Sequence, residues 1–205
     1  MCVTGVVLSG VAVSFFKSAI FGVDPFQALM SGLDALIPIQ YGTLYVIVNA
    51  VLLLFSIVFD RKKIGLGTLI NLFLLGYIVQ FGVDIIAAAA PHPALWLRII
   101  FLAIGVFIAC IAASLYFTAD MGVSTYDAIA IALSGKWKLA PFQYCRIATD
   151  VICVVSGCVL FLLAGGTFGA IPTIAGAGTI ITAFFMGPLI ELFNVKIARP
   201  LLKKS

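Results

Sequence analysis

Charge is what this chain has least of. Only 10% of its 205 residues are charged and one is histidine, against 63% hydrophobic residues and a mean hydropathy of +1.25. Too little polar surface exists to cover a water-soluble globule, so that class is excluded. The single histidine, His92, sits in a Pro-His-Pro turn and reads as a solvated loop residue. No His/Asp or Cys/His pair, metal-spaced cluster or phosphate-cradling loop is visible, which leaves an enzyme, a metal site and a cofactor without support. Five cysteines (Cys2, Cys110, Cys145, Cys153, Cys158) form no CxxC pair and lie in or beside apolar runs. They read as buried thiols rather than disulfides or ligands. The apolar run that opens at Val3 has no basic residue before it and no small-residue cleavage pattern after it, so it reads as a first span rather than a removed leader.

What the chain does have is long apolar runs. Six are expected to cross a bilayer as helices in one all-α transmembrane domain, residues 1–205: Val3 to Ile20, Gly42 to Phe59, Ile64 to Ala89, Leu95 to Phe117, Phe142 to Leu163 and Gly169 to Phe193. The basic residues set their sense. Arg61, Lys62, Lys63, Lys136, Lys138, Arg146, Lys196, Arg199, Lys203 and Lys204 all fall on one side, and only Lys17 and Arg98 fall toward the other. By the positive-inside tendency that side, with both termini, is cytoplasmic, and the expected location is the inner membrane. The net charge of +4 is thereby explained, and nucleic acid is not an expected partner. The expected partners are the bilayer itself, a small-molecule or ion solute, and a second copy of the chain in a homodimer.

The chain also repeats itself. Shifted by 100 positions, Val6 meets Val106, Ser14 meets Ser114, Phe16 meets Tyr116, Gly22 meets Gly122 and Phe26 meets Tyr126; shifted by 111, GLGTLINLFLLG from Gly65 meets GAGTIITAFFMG from Gly176. The first repeat covers about 1–93 and the second about 94–205. Each contains one span, one short element and two more spans. Three spans is an odd number, so the second copy enters the membrane in the opposite sense. Inverted repeats of this kind build secondary transporters and some channels, with a site at the repeat interface.

The GV-x-P/T-aromatic block after the first span and the GLGT…G block that opens the third, each with its second copy, resemble the YczE/YyaS/YitT-type family of bacterial integral membrane proteins. The resemblance covers essentially the whole chain. It implies a polytopic inner-membrane protein and no particular substrate or reaction.

The short elements, Gly22 to Leu33 and Gly122 to Leu133, are too short to span at about 18 Å each. Asp24 is placed to cap the first, with Pro25 at its first turn, and Ser124 to cap the second, with Asp127 completing a capping box. Each is either an amphipathic collar in the headgroup plane, the commoner use of such a segment, or a re-entrant half-helix whose amino-terminal amides face the interior. Polar residues inside spans are the other pointer, because hydrocarbon tolerates them only facing a bundle interior or a cavity. Asn49 matches Asp150, Asn71 matches Thr182, and Arg146 stands one turn before Asp150. The expected site is therefore Asp24, Ser124, Thr125 and Asp127 at the short elements, with Asn49, Asn71, Arg146 and Asp150 lining a route. Inter-helix hydrogen bonding is the structural alternative for the Asn and Thr residues. Lys17 is expected to snorkel to the interface, Glu191 to lie in a solvated surface, and Gly65, Gly67, Gly176 and Gly178 to permit close helix approach.

The function that fits is movement of a small polar or anionic solute by a transporter or channel. Two alternatives stand beside it: a substrate-binding membrane subunit of a larger transport complex, and a non-transporting assembly or regulatory protein.

Overall fold

The computed structural model describes residues 1–59, 64–119 and 121–202. The expectations placed on Arg61, Lys62, Lys63, Lys203 and Lys204 lie outside those residues, as does the side chain of Glu191. The chain is all-helical. In order it forms α1 (Cys2–Ala19), α2 (Pro25–Leu36), α3 (Tyr41–Phe59), α4 (Leu66–Ala89), α5 (Leu95–Thr118), α6 (Thr125–Gly135), α7 (Phe142–Leu163), α8 (Ala177–Phe193) and α9 (Arg199–Leu202).

Among the described residues five helices are long and apolar enough to cross a bilayer, within α1, α3, α4, α5 and α7. Val51, Leu54 and Val58 of α3, Phe73 and Phe81 of α4, and Val151, Val155 and Val159 of α7 stand exposed on their outer faces. Such a surface is costly in water and ordinary in lipid. The chain is a multi-pass membrane protein. The sixth expected span needs correcting at its start. Residues Phe168–Thr173 form a 3-10 turn that contains Pro172, and the α-helix begins only at Ala177, running 17 residues to Phe193. A proline removes an amide and clashes one turn back, so Pro172, with Gly165, Gly166 and Gly169 just before it, favours a break there, although α8 carries Pro188 within it. Beyond Phe193 the chain stays helical through a π-type turn, Asn194–Ala198, into α9.

The centre of the fold is an antiparallel crossing of α1 and α5 made by matched residues. A Cβ on Gly5 would come within 3.1–3.2 Å of Ala112 and Tyr116, and one on Gly105 within 2.8–3.3 Å of Phe16 and Ala12. Each contact is the other shifted by 100 positions. Without a hydrophobic drive between helices in lipid, such close backbone approach is what holds a bundle together. Arg98, at the start of α5, closes the end of α1: its guanidinium donates to the carbonyls of Ala19 (2.9 Å) and Ile20 (2.7 Å) and lies over the Phe21 ring. Orphan carbonyls at a helix end are satisfied in this way.

The two turns that launch the short helices are also made alike. Gly22 and Gly122 hold φ of +92° and +109°, a region where only glycine is unstrained. The Gly22 turn packs on Gly176 and Thr179, and the Gly122 turn packs on Gly65 and Thr68, which are their partners at the shift of 111. Gly178 N–H donates to Phe21 O at 2.6 Å, and Gly67 N–H donates to Met121 O at 2.8 Å. The glycines expected to permit close approach do so, and two of them donate as well.

Candidate functional site

From those turns the caps follow. Asp24 sits at the head of α2 and accepts the Gln27 amide at 3.1 Å, with Pro25 in the first turn. Ser124 heads α6, accepting the Asp127 amide at 3.1 Å and donating to the Asp127 carboxylate at 2.7 Å. Both short helices start as the sequence requires. What the sequence does not give is where those starts lie. Phe26 and Tyr126, matched residues in the first turns of α2 and α6, stack on each other with centroids 5.1 Å apart and planes 23° apart. The two short helices meet head to head.

Around that meeting point lies a cavity of about 370 Å³, and seven of the eight expected site residues line it: Asp24, Asn49, Asn71, Ser124, Asp127, Arg146 and Asp150. The eighth, Thr125, is buried behind the wall and donates to the Asn49 carboxamide. A space of this size suits a small molecule, and its wall is apolar with a few polar groups converging on it.

The polar groups belong to two unlike sets. In the second half, Arg146 pairs with Asp127 of α6 and, at 3.2 Å, with Asp150 one turn along α7. Its guanidinium also lies 4.5 Å from the centroid of the Tyr126 ring, whose hydroxyl donates to Asp150. The expected Arg146–Asp150 pair is present, and Asp127 is a second partner. In the first half the matched positions are neutral. Gln27 stands where the other half has Asp127, Tyr45 where it has Arg146, and Asn49 where it has Asp150. Tyr45 donates to Asn71 at 3.2 Å, while Asn49 donates to the Tyr45 carbonyl at 2.9 Å. Gln27 accepts from the Tyr41 hydroxyl.

Gln27, Tyr45 and Tyr126 line the cavity without having been singled out. The repeat carried the missing signal: each is the counterpart of a residue that drew attention by its charge or its place. Asp24 is the acid with the least support, because its carboxyl is half-buried and has no ion pair among the described residues. Among the described residues no group of three His, Cys, Asp or Glu stands close enough to hold a metal ion. Cys2, Cys110, Cys145 and Cys153 are buried free thiols, and Cys158 is half-buried.

A second, smaller cavity of about 170 Å³ lies beside the first, with Lys17, Asp34, Tyr41, Val79, Gln80 and Asp84 in its wall. Lys17 does not simply reach for the interface. Its ammonium lies 3.5 Å from the centroid of the Tyr41 ring.

A family model described as a family of unknown function (DUF6198) matches residues 1–195. The uncharacterized membrane protein YczE of Bacillus subtilis (strain 168) is 24% identical over 188 residues, covering 87% of this chain and 80% of its own. That bears out the resemblance read from the repeated blocks. An uncharacterized protein of Haemophilus influenzae is 27% identical over 139 residues, which are 68% of this chain and 57% of that relative's length. No solved structure matches the chain.

Proposed function

The chain belongs to the family of unknown function DUF6198, whose name brings no activity with it, and we propose from its site that it carries a small polar solute across the inner membrane by alternating access. The observation that supports this most is the head-to-head meeting of α2 and α6 over a polar cavity. The charge count assigns these two short helices to opposite membrane faces. Helices lying flat on two surfaces are separated by a hydrocarbon core of about 30 Å. Stacked first turns favour re-entry of both, so we read them as half-helices rather than collars. Irregular backbone at that depth is tolerated where it is buried in protein or lines a cavity, as the turns at Gly22 and Gly122 do here.

Six spans follow on this reading if α8, with its helical extension to Leu202, crosses beside the other five. Inversion is supported by the antiparallel, mutually matched contacts of α1 and α5 and by the twice-made turn contacts. The basic side, with both termini, is cytoplasmic. The chemistry of the wall narrows the solute. Three carboxylates face one guanidinium that already holds two of them, so an anion finds no free cation there. A neutral, zwitterionic or cationic polar solute fits better than an anionic one. The Ser124 hydroxyl and Asp127 carboxylate in the wall are engaged as the cap of α6 and by Arg146, and we assign them no catalytic step.

The experiment is reconstitution in liposomes, with uptake followed for amines, amino acids, polyols and small organic anions under a pH gradient and under a membrane potential. Uptake of one uncharged or cationic class, reduced at least tenfold by Asp150→Asn and by Arg146→Ala, is the expected result. Movement of no solute under either gradient would end the transport reading.

A further inference from the structure

We infer that Tyr41 is the outer gate of this pathway, a plug between two solute compartments, and that the conformation described here is the one open toward the cytoplasm. This rests on the transport reading and adds to it which side is closed and by what.

The two cavities lie one helical turn apart. Along α3 the central cavity is lined by Tyr45 and the smaller one by Tyr41; along α4 the corresponding residues are Leu75 and Val79. Between them Tyr41 is 6% exposed and Val79 is fully buried. The Tyr41 hydroxyl donates to Gln27, whose side chain belongs to the central wall, while the Lys17 ammonium covers the ring from the other side. The phenol therefore lines the smaller compartment and is tied through Gln27 to the wall of the central one. A solute passing from one to the other must displace it.

Among the described residues the opposite end of the central cavity has no such plug. It extends to Phe117 and Ile190, the counterparts of Lys17 and Val79 at shifts of 100 and 111. The residue matched to Tyr41 is Phe142, which has no hydroxyl and is 47% exposed. Gln27 likewise has as its counterpart Asp127, which is held by Arg146. Two halves built to the same plan are thus closed at one end and open at the other. In an inverted repeat, that difference is the difference between facing one side of the membrane and facing the other. The smaller cavity is the outer vestibule, where a polar solute would wait between the Lys17 ammonium and the Asp34 and Asp84 carboxylates.

The test needs no identified solute. Ser9 lines the central cavity, so Ser9→Cys can report its access, with the unsubstituted protein as the blank for its own cysteines. The probe is a membrane-impermeant trimethylammonium methanethiosulfonate, added to intact cells or to inside-out vesicles. The expected result is fast modification from the cytoplasmic side and modification at least tenfold slower from outside. Adding Tyr41→Ala should raise the outside rate at least tenfold; Tyr41→Phe, which keeps the ring and loses only the bond to Gln27, should raise it a few-fold. Undiminished cytoplasmic modification shows that each variant is folded. Outside modification as fast as inside before any gate change overturns the inference, and so does an outside rate that neither variant raises. The gate and transport readings fail separately, because liposome flux reports on transport whether or not Tyr41 controls access.

Discussion

Arg146→Tyr places in the second half the residue that the first half has at that position, and its cost follows from the geometry. The guanidinium serves two carboxylates, Asp127 and Asp150, at side-chain exposures of 33% for the arginine and 21% and 22% for the acids. At an effective dielectric of about 20, a pair at the 3.2 Å of Arg146 and Asp150 attracts by roughly 5 kcal/mol before desolvation. Removing one partner of a fully buried pair costs about 3–5 kcal/mol, and exposed pairs contribute about 0.2–1 kcal/mol. One-third exposure lies between these limits, so the expected loss is about 2 kcal/mol. Loss of the cation over the Tyr126 ring adds about 0.5–1 kcal/mol. At roughly 2–4 °C per kcal/mol for a chain of this length, the single substitution should lower the unfolding midpoint in detergent by about 5–10 °C.

The informative comparison is the triple variant Asp127→Gln/Arg146→Tyr/Asp150→Asn, which gives the second half the neutral set of the first. With no carboxylate left unpaired, it should recover more than half of the lost stability, a coupling that only residues in one network show. Uptake in liposomes should stay lost in the triple variant. Thermal unfolding monitored by size-exclusion chromatography measures the first effect, and flux measures the second. A single variant within 1 °C of the parent, or a triple variant as unstable as the single, would refute the reasoning that the ion network is both a structural tie and the charged wall of the site.

Other outcomes follow from individual residues. Gly32→Val should be severe, because a Cβ at Gly32 meets the backbone of Gly157 in α7, whereas one at Gly135 meets nothing within 4 Å. Overpacking costs about 1–3 kcal/mol, more against rigid backbone, so Gly32→Val should lower the midpoint by several degrees while Gly135→Ala leaves it in place. The Tyr116 hydroxyl is buried with no well-formed hydrogen bond, only the Thr68 side chain standing near it, and the matched residue is Phe16. Tyr116→Phe should accordingly be neutral or stabilising by about 1 kcal/mol in the same assay.

How far the sequence carried depended on whether a signal was local. The caps at Asp24 and Ser124 and the i, i+4 pair of Arg146 and Asp150 are set by spacing within one helix, and they form where expected. Span ends agree to within a couple of residues except at the sixth, where Pro172 and the glycines around it break the apolar run that hydropathy alone joins. Which groups converge was legible through the charges and amides in apolar runs, and seven of them do line one cavity. Gln27 and Tyr45 were not legible that way, because Gln27 lies in an amphipathic short element, where a polar residue is ordinary, and a tyrosine is ordinary in an apolar span; only their counterparts Asp127 and Arg146 carry a charge. The depth of the short helices was beyond any single segment. An amphipathic twelve-residue helix reads the same on a surface as within a fold, and only the stacking of Phe26 on Tyr126 brings the two together.

On the gate and transport readings proposed above, the unlike walls of the cavity also bear on how firmly the outer end is held. A neutral hydrogen bond such as that from Tyr41 to Gln27 contributes about 1 kcal/mol net, which biases two conformations by only about fivefold. The plug is thus a bias toward the closed state, and a solute that binds the two conformations unequally by a few kcal/mol can reverse it. The second half has no equivalent bond with which to close the inner end, since Phe142 cannot donate and Asp127 is engaged by Arg146. Closing that end requires Asp127 or Asp150 to exchange partners. On the transport reading, a cationic or proton-bearing group brought by the solute would supply the replacement charge, and the ion network would couple occupancy of the site to closure on the cytoplasmic side.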